Sequence, residues 1–491
     1  MRALGVKVSS YADNPGASGS QGVKWSTIGT AGKQIVMVLF SILLARVLGP
    51  SAYGIVAQAI VLMTLMSLLL DQGVSAALIS SPKVSSQLAG AASSLNLLLA
   101  LVLAGATIAF ALPIANFFET EELVHILWVL SIAIVLKALA IVPRMLLSRS
   151  LNFRAQAVAD LSAAIVGGVS ALGLALNGWG FWALVAQIII VDGLTAVMLL
   201  IAARPPLPNG RLDLLRETAG FSTRVFASNL IAYTVQNLDN VLIAKFLGTG
   251  SLAYYSLSYR VLTTPVQMAG QVVTRVLFPA VSRIRHSGGD VTAVIARSAQ
   301  SISLLTFPAM ALVAASANQS VPLLLGAQWI PAAPVLSILA IGGARQSVTT
   351  LNSAVMMGMG RADVALKFSL VAAFVQISGI IVGLQFGIIG VAAGLTVAGF
   401  VVTPIICVLQ KRIALFQYRR QWSAVAPAIG GSLVAAVVYT LTGLVISSDL
   451  LHFLLGTVAG LGAYVGVLVV FHRSTWEDLI RNVRSVSGGG K

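Results

Sequence analysis

This chain has little of what a soluble enzyme uses for its chemistry. It contains one cysteine, Cys407, and four histidines, and charged residues make up only 9% of it. A single cysteine within an apolar stretch excludes a disulfide framework and a thiol metal site. The histidines are scattered, so no pair has the spacing of metal ligands. The sequence also lacks a Gly-rich phosphate loop and a dinucleotide turn, and we therefore predict no cofactor.

Apolar residues are what the chain has in excess. Hydrophobic residues make up 57% of it, and its mean hydropathy is +0.93. Ordinary soluble domains do not have this composition. A membrane-spanning helix needs about 20 mainly apolar residues, and about fourteen such windows follow one another along the chain. The composition therefore predicts an all-α polytopic membrane protein with about 14 transmembrane helices.

The formal net charge of +16 invites comparison with nucleic-acid-binding proteins, but the basic residues are distributed differently. They lie in alternate loops, for example in 144–154, 204–216 and 411–420, whereas the loops at 177–180 and 385–387 contain none. This is the positive-inside pattern of inner-membrane proteins. It predicts that both termini are cytoplasmic, that the number of spans is even, and that some of the charge meets anionic membrane lipid. No nucleic-acid partner is expected.

The domain limits follow from breaks in the apolar pattern. A Pro-rich break at 204–210 is followed by a short amphipathic stretch, which is typical of a connector on the membrane surface. We predict a disordered cytoplasmic tail, a six-helix lobe, a cytoplasmic amphipathic connector, a second six-helix lobe, two additional transmembrane helices, and a cytoplasmic interfacial helix with a tail. Their limits are 1–24, 25–205, 206–219, 220–412, 413–472 and 473–491, in that order.

A short passage occurs twice, once near the start of each half. Residues 44–58, LARVLGPSAYGIVAQ, are repeated in altered form from residue 243, IAKFLGTGSLAYYSLSYR. Arg46 corresponds to Lys245, Gly49 corresponds to Gly248, and Tyr53 corresponds to Tyr254. The chain therefore reads as two copies of one membrane unit that face a shared interior.

Polar side chains follow several of the predicted spans at helical spacing, and such a stripe normally faces away from lipid. The richest stripes lie in the first, second, seventh and eighth spans, and the tenth also contains polar residues. Lys33 can face a cavity or extend to the cytoplasmic interface, and the same two alternatives apply to Lys137. Asp71 lies either in a cavity or in solvent at the inner end of its helix. Arg345 either contacts a ligand or pairs with a carboxylate of another span.

Glycines in the eleventh and twelfth spans are spaced for close packing. Gly379 and Gly383 in one span and Gly390 and Gly394 in the next have the spacing that lets two helix backbones approach. We predict that these four residues serve packing and not chemistry.

The distribution of acidic residues favours translocation over bond-making. Glu119, Glu121 and Glu122 form the one acidic cluster in a predicted external loop, and no basic residue is beside them in the sequence. The external loops are short, while charges lie within the spans. We therefore predict that the protein is not an enzyme, although an integral-membrane glycan polymerase or ligase is the alternative from that class.

The repeated passage resembles the polysaccharide transporter branch of the MOP exporter superfamily, the Wzx-type lipid-linked oligosaccharide flippases. The resemblance covers essentially the full chain and implies two six-helix bundles in parallel repeat with two extra C-terminal helices. It implies a flippase that moves polyprenyl-diphosphate-linked oligosaccharide repeat units across the cytoplasmic membrane by alternating access for polysaccharide biosynthesis and export. Polysaccharide polymerase and export machinery are the partners that this function implies.

Physical chemistry suggests how the polar residues fit that function. A diphosphate cannot cross about 30 Å of hydrocarbon with its charge unpaired. Lys33, Arg260 and Arg345 are the candidates to neutralise the diphosphate. Amide side chains can replace water around sugar hydroxyls, and the candidates are Gln58, Asn229, Gln236, Asn237, Gln267 and Gln271.

Two related transport functions remain as alternatives. In an ion-coupled multidrug or metabolite antiporter of the same superfamily, Asp71 or Asp239 would bind the coupling ion. Two extra spans and several buried basic residues argue against that function, since cationic drugs favour acidic cavities. A flippase for the peptidoglycan lipid precursor is the other alternative, from a sister branch.

Overall fold

The structure is a computed structural model. It describes residues 15–70, 85–211, 230, 233, 237–263, 266, 291–351, 355–356, 362–414 and 418–473. All regular secondary structure in these ranges is helical. The predicted all-α class is therefore confirmed. Contacts between residues divide the chain into two compact units, Met1–Ala253 (unit 1) and Tyr254–Lys491 (unit 2).

Unit 1 consists of long apolar helices joined by short turns. They are α1 (Pro15–Leu70), α2 (Ser86–Ala109), α3 (Ala111–Phe118), α4 (Glu122–Arg149), α5 (Phe153–Leu176), α6 (Trp182–Ala203) and the first part of α7 (237–263). Polar side chains define some of the helix starts. The side chains of Ser85 and Asn152 accept hydrogen bonds from the backbone N–H groups of Leu88 and Ala155, which would otherwise have no partner at the start of a helix.

The long helix α1 is two predicted spans joined by a kink. Its apolar part, Gly29–Leu70, has 42 residues, and at 1.5 Å per residue this is about twice the thickness of a hydrocarbon core. The helical backbone is interrupted at Gly49, whose φ is 78°, and Pro50 follows. Glycine reaches this left-handed region without the steric cost that a Cβ imposes. In α7, Gly248 has φ 82° at the corresponding position, so the repeated sequence has a repeated turn.

The two copies of the turn lie against each other in unit 1. A Cβ at Gly54, just after the first turn, would clash with the backbone carbonyl oxygen of Thr249, which follows the second turn. Only a residue without a side chain permits this approach. The glycines in this region therefore serve both the turns and the contact between them.

Unit 2 has the remaining part of α7 and six long helices. They are α8 (Val291–Leu325), α9 (Ala332–Thr349), α10 (Ala362–Leu384), α11 (Gly387–Ala414), α12 (Tyr418–Thr442) and α13 (Asp449–Phe471). The last two helices pack on α8 through small and aromatic side chains, including Ala428, Ala435 and Tyr464. The Tyr464 hydroxyl donates a 2.8 Å hydrogen bond to the backbone carbonyl of Leu304 in α8. The two additional helices are thus part of unit 2.

The glycine spacing in α10 and α11 has the predicted structural role. A Cβ at Gly379 would meet the carbonyl oxygen of Gly394 at 2.6 Å. Between Gly383 and Gly390, each residue would direct a Cβ against the other's carbonyl oxygen. The prediction that these four glycines bring the two helices into backbone contact is confirmed.

Ten helices in the described ranges are long and apolar enough to cross a membrane. The chain is therefore a multi-pass membrane protein. One of the ten, Gly29–Leu70, contains two predicted spans, and parts of the predicted seventh, eighth and tenth spans lie outside the described residues. The count of 14 spans stays a prediction. The same holds for the predicted domain limits, since most of the connector 206–219 lies outside the described residues.

Candidate functional site

The centre of unit 1 has a polar cavity of about 380 Å³ among apolar helices. Helices α1, α4 and α6 provide its charged lining residues, Lys33, Lys137, Arg144 and Asp192. Asp160 of α5 contacts two of these basic residues. Because helices in a membrane bundle seldom contain charged residues at all, a cluster of five is an indication of function.

Asp160 is the acceptor that two basic side chains share. Arg144 Nη1 donates to Asp160 Oδ2 at 2.8 Å, and Nη2 donates to Oδ1 at 2.7 Å. This is the bidentate geometry that gives Arg–carboxylate pairs their strength and orientation. Lys33 Nζ donates to the same Oδ1 at 3.3 Å. The carboxylate of Asp160 thus links α5 to α1 and to α4 through hydrogen bonds.

A second ion pair completes the cluster. Lys137 Nζ lies 3.7 Å from Asp192 Oδ2 and donates a 3.0 Å hydrogen bond to Ser67 Oγ. Asp192 Oδ2 is buried and has no hydrogen-bond partner among the described residues. Lys137 is therefore the group that compensates for the burial of this carboxylate.

The cluster has an excess of positive charge. Three basic side chains face two carboxylates, so the net charge is +1. The basic side chains are about one-third exposed, at 31% to 37%, whereas Asp160 and Asp192 are only 15% and 18% exposed. The carboxylates are thus more enclosed than the basic groups, although Asp192 also lines the cavity.

Small residues on α1 and α5 make the Lys33 contact possible. A Cβ at Gly29 would lie 2.6 Å from the Cβ of Ala157, and one at Gly168 would clash with the Phe40 ring. These two positions let α1 approach α5 closely. The lysine on α1 can therefore reach the carboxylate of Asp160.

Among the described residues, Lys33 is the one predicted substrate-binding residue that the structure brings into this cluster. Lys33 lies in the cavity, as one of its two alternatives required, and Lys137 lines the same cavity. The side-chain amide of Gln58 is buried and has no hydrogen-bond partner among the described residues. Asn237 Nδ2 donates at 3.0 Å to the carbonyl of Tyr233, four residues earlier in the chain.

The other predicted residues lie elsewhere in the chain. Asp239 is buried, and its Oδ1 accepts a 2.7 Å hydrogen bond from the backbone N–H of Asn240. Arg260 lies on α7 in unit 2 and is partly buried. Five predicted residues lie outside the described residues: Asn229, Gln236, Gln267, Gln271 and Asp71. No group of three or more possible metal ligands occurs in the parts of the chain that the structure describes.

Sequence reasoning missed the partners in this cluster. The spacing of Asp160 and Asp192 indicates no metal or proton pair, and Arg144 was grouped with the loop bases. The available signal was the spacing of Lys137 and Arg144, seven residues apart on α4, which places both on one helix face. Two intramembrane carboxylates on the following helices then required basic partners.

Unit 2 has a different polar site, centred on Arg345 of α9. Its Nη1 donates to Thr403 Oγ1 of α11 at 3.3 Å, and its guanidinium lies 5.9 Å from the centre of the Phe400 ring. The Nε group is buried without a hydrogen-bond partner among the described residues. No ion pair between Arg345 and a carboxylate is found among the side chains that the structure describes, and its two alternatives, a ligand contact and an ion pair with another span, both stay predictions.

No basic residue is beside the predicted external acidic cluster in the sequence, but the fold brings one to it. Lys245 Nζ lies 2.7 Å from Glu119 Oε1 and 5.3 Å from the centre of the Phe117 ring. The two charged residues are 126 positions apart in the chain, so only the fold brings them together. The hydrogen bond from Lys245 and its charge lower the pKa of Glu119 below its ordinary value.

Comparisons with known proteins agree with this architecture. The chain is 29% identical over 359 residues to the succinoglycan biosynthesis transport protein ExoT of Rhizobium meliloti (strain 1021). The matched residues cover 72% of each chain. It is 27% identical over 386 residues to the lipopolysaccharide biosynthesis protein WzxC of Escherichia coli (strain K12), covering 76% of this chain and 77% of that one.

Among solved structures, the chain resembles the lipid II flippase MurJ in an inward closed conformation. The TM-score is 0.76 at 17% identity, over 91% of this chain and 99% of MurJ, so the two proteins share a fold. The family described as "Polysaccharide biosynthesis protein" matches residues 43–334, which is more than half of the chain and includes Lys137, Arg144, Asp160 and Asp192. The chain therefore belongs to this polysaccharide biosynthesis protein family.

Proposed function

We propose that the protein is a flippase that moves polyprenyl-diphosphate-linked oligosaccharide repeat units across the cytoplasmic membrane. Its family, the names of its relatives as biosynthesis transport proteins, and the fold that it shares with a lipid II flippase support this function. In this proposal the protein is a transporter and not an enzyme. The translocated units supply polysaccharide polymerase and export machinery.

The observation that carries the proposal is the cation excess in the unit 1 cavity. A lipid diphosphate has at least two negative charges, and its passage through hydrocarbon requires basic groups that replace water. Lys33, Lys137 and Arg144 are already gathered there by Asp160 and Asp192. An entering diphosphate can bind the exposed sides of these groups while the carboxylates keep them in place.

The predicted orientation makes this cavity the loading site. With both termini in the cytoplasm, the cytoplasmic ends of α1 and α4 are those near Gly29 and Arg149. Lys33 lies four residues from the first of these positions, and Arg144 lies five residues from the second. The cavity then lies in the cytoplasmic half of the membrane, where the lipid-linked precursor begins its passage.

The remaining predicted residues have secondary roles in this proposal. Gln58 and Asn237, with Asn229, Gln236, Gln267 and Gln271, replace water around sugar hydroxyls. Arg260 contacts the diphosphate at another point of its path. Asp71 or Asp239 binds a coupling ion. The isoprenoid tail stays in the lipid phase.

The test is headgroup translocation in liposomes. We would reconstitute wild type, Lys33→Gln, Lys33→Arg and Arg154→Gln, with melting curves and orientation measured for each preparation. Lys33→Gln should slow translocation by at least about tenfold, because it removes a charged hydrogen-bond donor but leaves the Arg144–Asp160 pair intact. Lys33→Arg should recover much of the rate. Arg154 is exposed at the start of α5, outside the cavity, so Arg154→Gln is the matched control.

Three results would contradict the proposal. If wild type moves no polyprenyl-diphosphate oligosaccharide under any ion gradient, the flippase function is wrong and the antiporter and polymerase alternatives must be tested. Faster transport of the peptidoglycan precursor would favour the sister function. Equal rates for wild type and Lys33→Gln would remove the unit 1 cavity from the mechanism.

A further inference from the structure

We infer that Arg345 in unit 2 binds a carboxylate on the sugar headgroup, so that the transported repeat unit contains an acidic sugar or an acidic substituent. The inference rests on the proposed function and adds the class of its substrate. The family match ends at residue 334, before Arg345. The argument therefore depends on the surroundings of this side chain alone.

Arg345 lines a cavity whose other polar groups are neutral. This cavity is about 240 Å³ in volume and lies among α7, α9, α10 and α11 of unit 2. Hydroxyl and amide groups dominate its polar lining, which consists of Tyr259, Gln346, Thr349, Thr350, Gln376, Thr396 and Thr403. Such groups donate to and accept from sugar hydroxyls, and a tyrosine ring offers an apolar surface to a sugar face.

No ion pair compensates for the charge of Arg345 among the side chains that the structure describes. Its contacts there are a hydroxyl, Thr403 Oγ1 at 3.3 Å, and the ring of Phe400. Its Nε–H, one of the donors of the guanidinium fork, is buried and unused. A planar fork with free donors is the geometry that recognises a carboxylate with two parallel hydrogen bonds. A lone charge in an apolar bundle is costly unless an anion or water meets it.

The count of charges favours a carboxylate over the diphosphate. A diphosphate has two or more negative charges, and the unit 1 cluster offers three basic groups for it. The unit 2 cavity offers one, and no other charged residue occurs among the described residues of its lining. One guanidinium among neutral polar groups matches a singly charged group on a sugar.

A second cavity that Arg345 also lines strengthens this site. It is about 800 Å³ in volume and almost wholly apolar, with Phe307, Phe400, Trp422 and Leu433 among its lining residues. Charges attract each other more strongly where water is scarce. A carboxylate that enters from the polar cavity is therefore attracted to Arg345 more strongly than it would be in open water.

The backbone of α11 provides a way to move the guanidinium without removing it. A Cβ at Gly399 would lie 2.7 Å from Arg345 Cζ and 2.8 Å from Nε, so Gly399→Ala must displace the end of this side chain. At Gly466 in α13, by contrast, a Cβ would meet no atom within 4 Å. Gly399→Ala and Gly466→Ala are therefore a matched pair.

The experiment compares two lipid-linked oligosaccharides that differ in one sugar, a hexuronic acid or the corresponding neutral hexose. Liposomes would contain wild type, Arg345→Gln, Gly399→Ala, Gly466→Ala or Arg297→Gln, the last being an exposed arginine of α8. Wild type should move the acidic substrate at least about tenfold faster than the neutral one, as expected for one charge-assisted hydrogen-bonded pair. Arg345→Gln should abolish this preference by slowing the acidic substrate alone. Gly399→Ala should reduce the preference, while Gly466→Ala and Arg297→Gln should preserve it.

Each alternative result has a distinct meaning. Equal wild-type rates for the two substrates overturn this inference but leave the flippase function in place. An equal loss for both substrates in Arg345→Gln also overturns it, because Arg345 then acts on the shared diphosphate. If wild type moves neither substrate, the proposed function itself has failed. Should Arg345→Gln not fold, the wild-type preference and the Gly399→Ala and Gly466→Ala pair decide the question.

Discussion

Units 1 and 2 both place positive charge within apolar helices, but they compensate for it in opposite ways. In unit 1, Asp160 and Asp192 pair with three basic groups, and the cluster keeps a small positive excess. In unit 2, Arg345 has a hydroxyl and an aromatic ring as partners and no carboxylate in the described ranges. In unit 1 the protein's own carboxylates thus compensate for most of the positive charge without a ligand. In unit 2 an anionic ligand can provide the counter-charge for Arg345.

The difference shows what the internal repeat preserves. The turn at Gly49 and its counterpart at Gly248 have nearly the same backbone angle, with φ 78° and 82°. Arg46 and Lys245 beside the turns also correspond, but the charged sites inside the two units differ. Backbone geometry is common to both copies because it determines how the helices turn and pack. The sites can diverge since each needs only a few side chains on the same scaffold.

The largest expected effect is in unit 1. Asp160→Asn should lower stability by about 3 kcal/mol, because it leaves Lys33 and Arg144 without their shared partner in a water-poor site. The measurement is the apparent melting temperature in detergent, with Asp449→Asn at the exposed start of α13 as the control. Similar melting temperatures for Asp160→Asn and wild type would mean that water compensates these basic groups, and the contrast between the units would disappear.

Contact between the two copies of the turn is tested by Gly54→Ala. The new methyl group would clash with the carbonyl oxygen of Thr249, and backbone cannot move as easily as a side chain. We expect a loss of about 2 kcal/mol, the usual cost of overpacking a tight contact. At Gly105 of α2 a Cβ would meet no atom within 4 Å, so Gly105→Ala should leave the melting temperature unchanged or raise it slightly. Equal effects of the two substitutions would refute the close contact.

Arg345→Met should change stability in the opposite direction to Asp160→Asn. Removing a half-buried charge that has no carboxylate partner should leave stability unchanged or raise it by about 1 kcal/mol in ligand-free protein. The melting temperatures of both variants in the same detergent provide the comparison. A clear loss of stability in Arg345→Met would show that unit 2 compensates for this charge as unit 1 does.

The smallest expected effect concerns the Lys245–Glu119 pair of unit 1. Lys245 lowers the pKa of Glu119, so the pair stabilises the folded protein above the ordinary glutamate pKa and loses its effect as the pH falls through the lowered value. Exposed ion pairs contribute little and are weakened by salt. Melting curves of wild type and Glu119→Gln should therefore differ slightly at neutral pH and coincide in acid. A difference that persists in acid would point to a cause other than this ion pair.

Several features of the fold were predictable because they depend on local sequence. The helices follow from apolar runs of spanning length, and the turns at Gly49 and Gly248 follow from glycine in a repeated passage. The contact of α10 with α11 follows from the spacing of their glycines. Charge partners were harder to predict: Lys33 and Asp160 are 127 positions apart, and Lys245 and Glu119 are 126 apart.

The amino-acid sequence by itself determined the class of protein, the helical spans, the repeated turn and the resemblance to polysaccharide transporters, because hydrophobicity and glycine spacing act over short stretches of chain. Only the tertiary structure decided which charges meet. It placed Lys33, Lys137 and Arg144 around Asp160 and Asp192, and it left Arg345 among neutral groups. The physical reason is that groups within a few ångströms determine the electrostatic free energy of a charge inside a membrane bundle. Helix packing determines which groups those are.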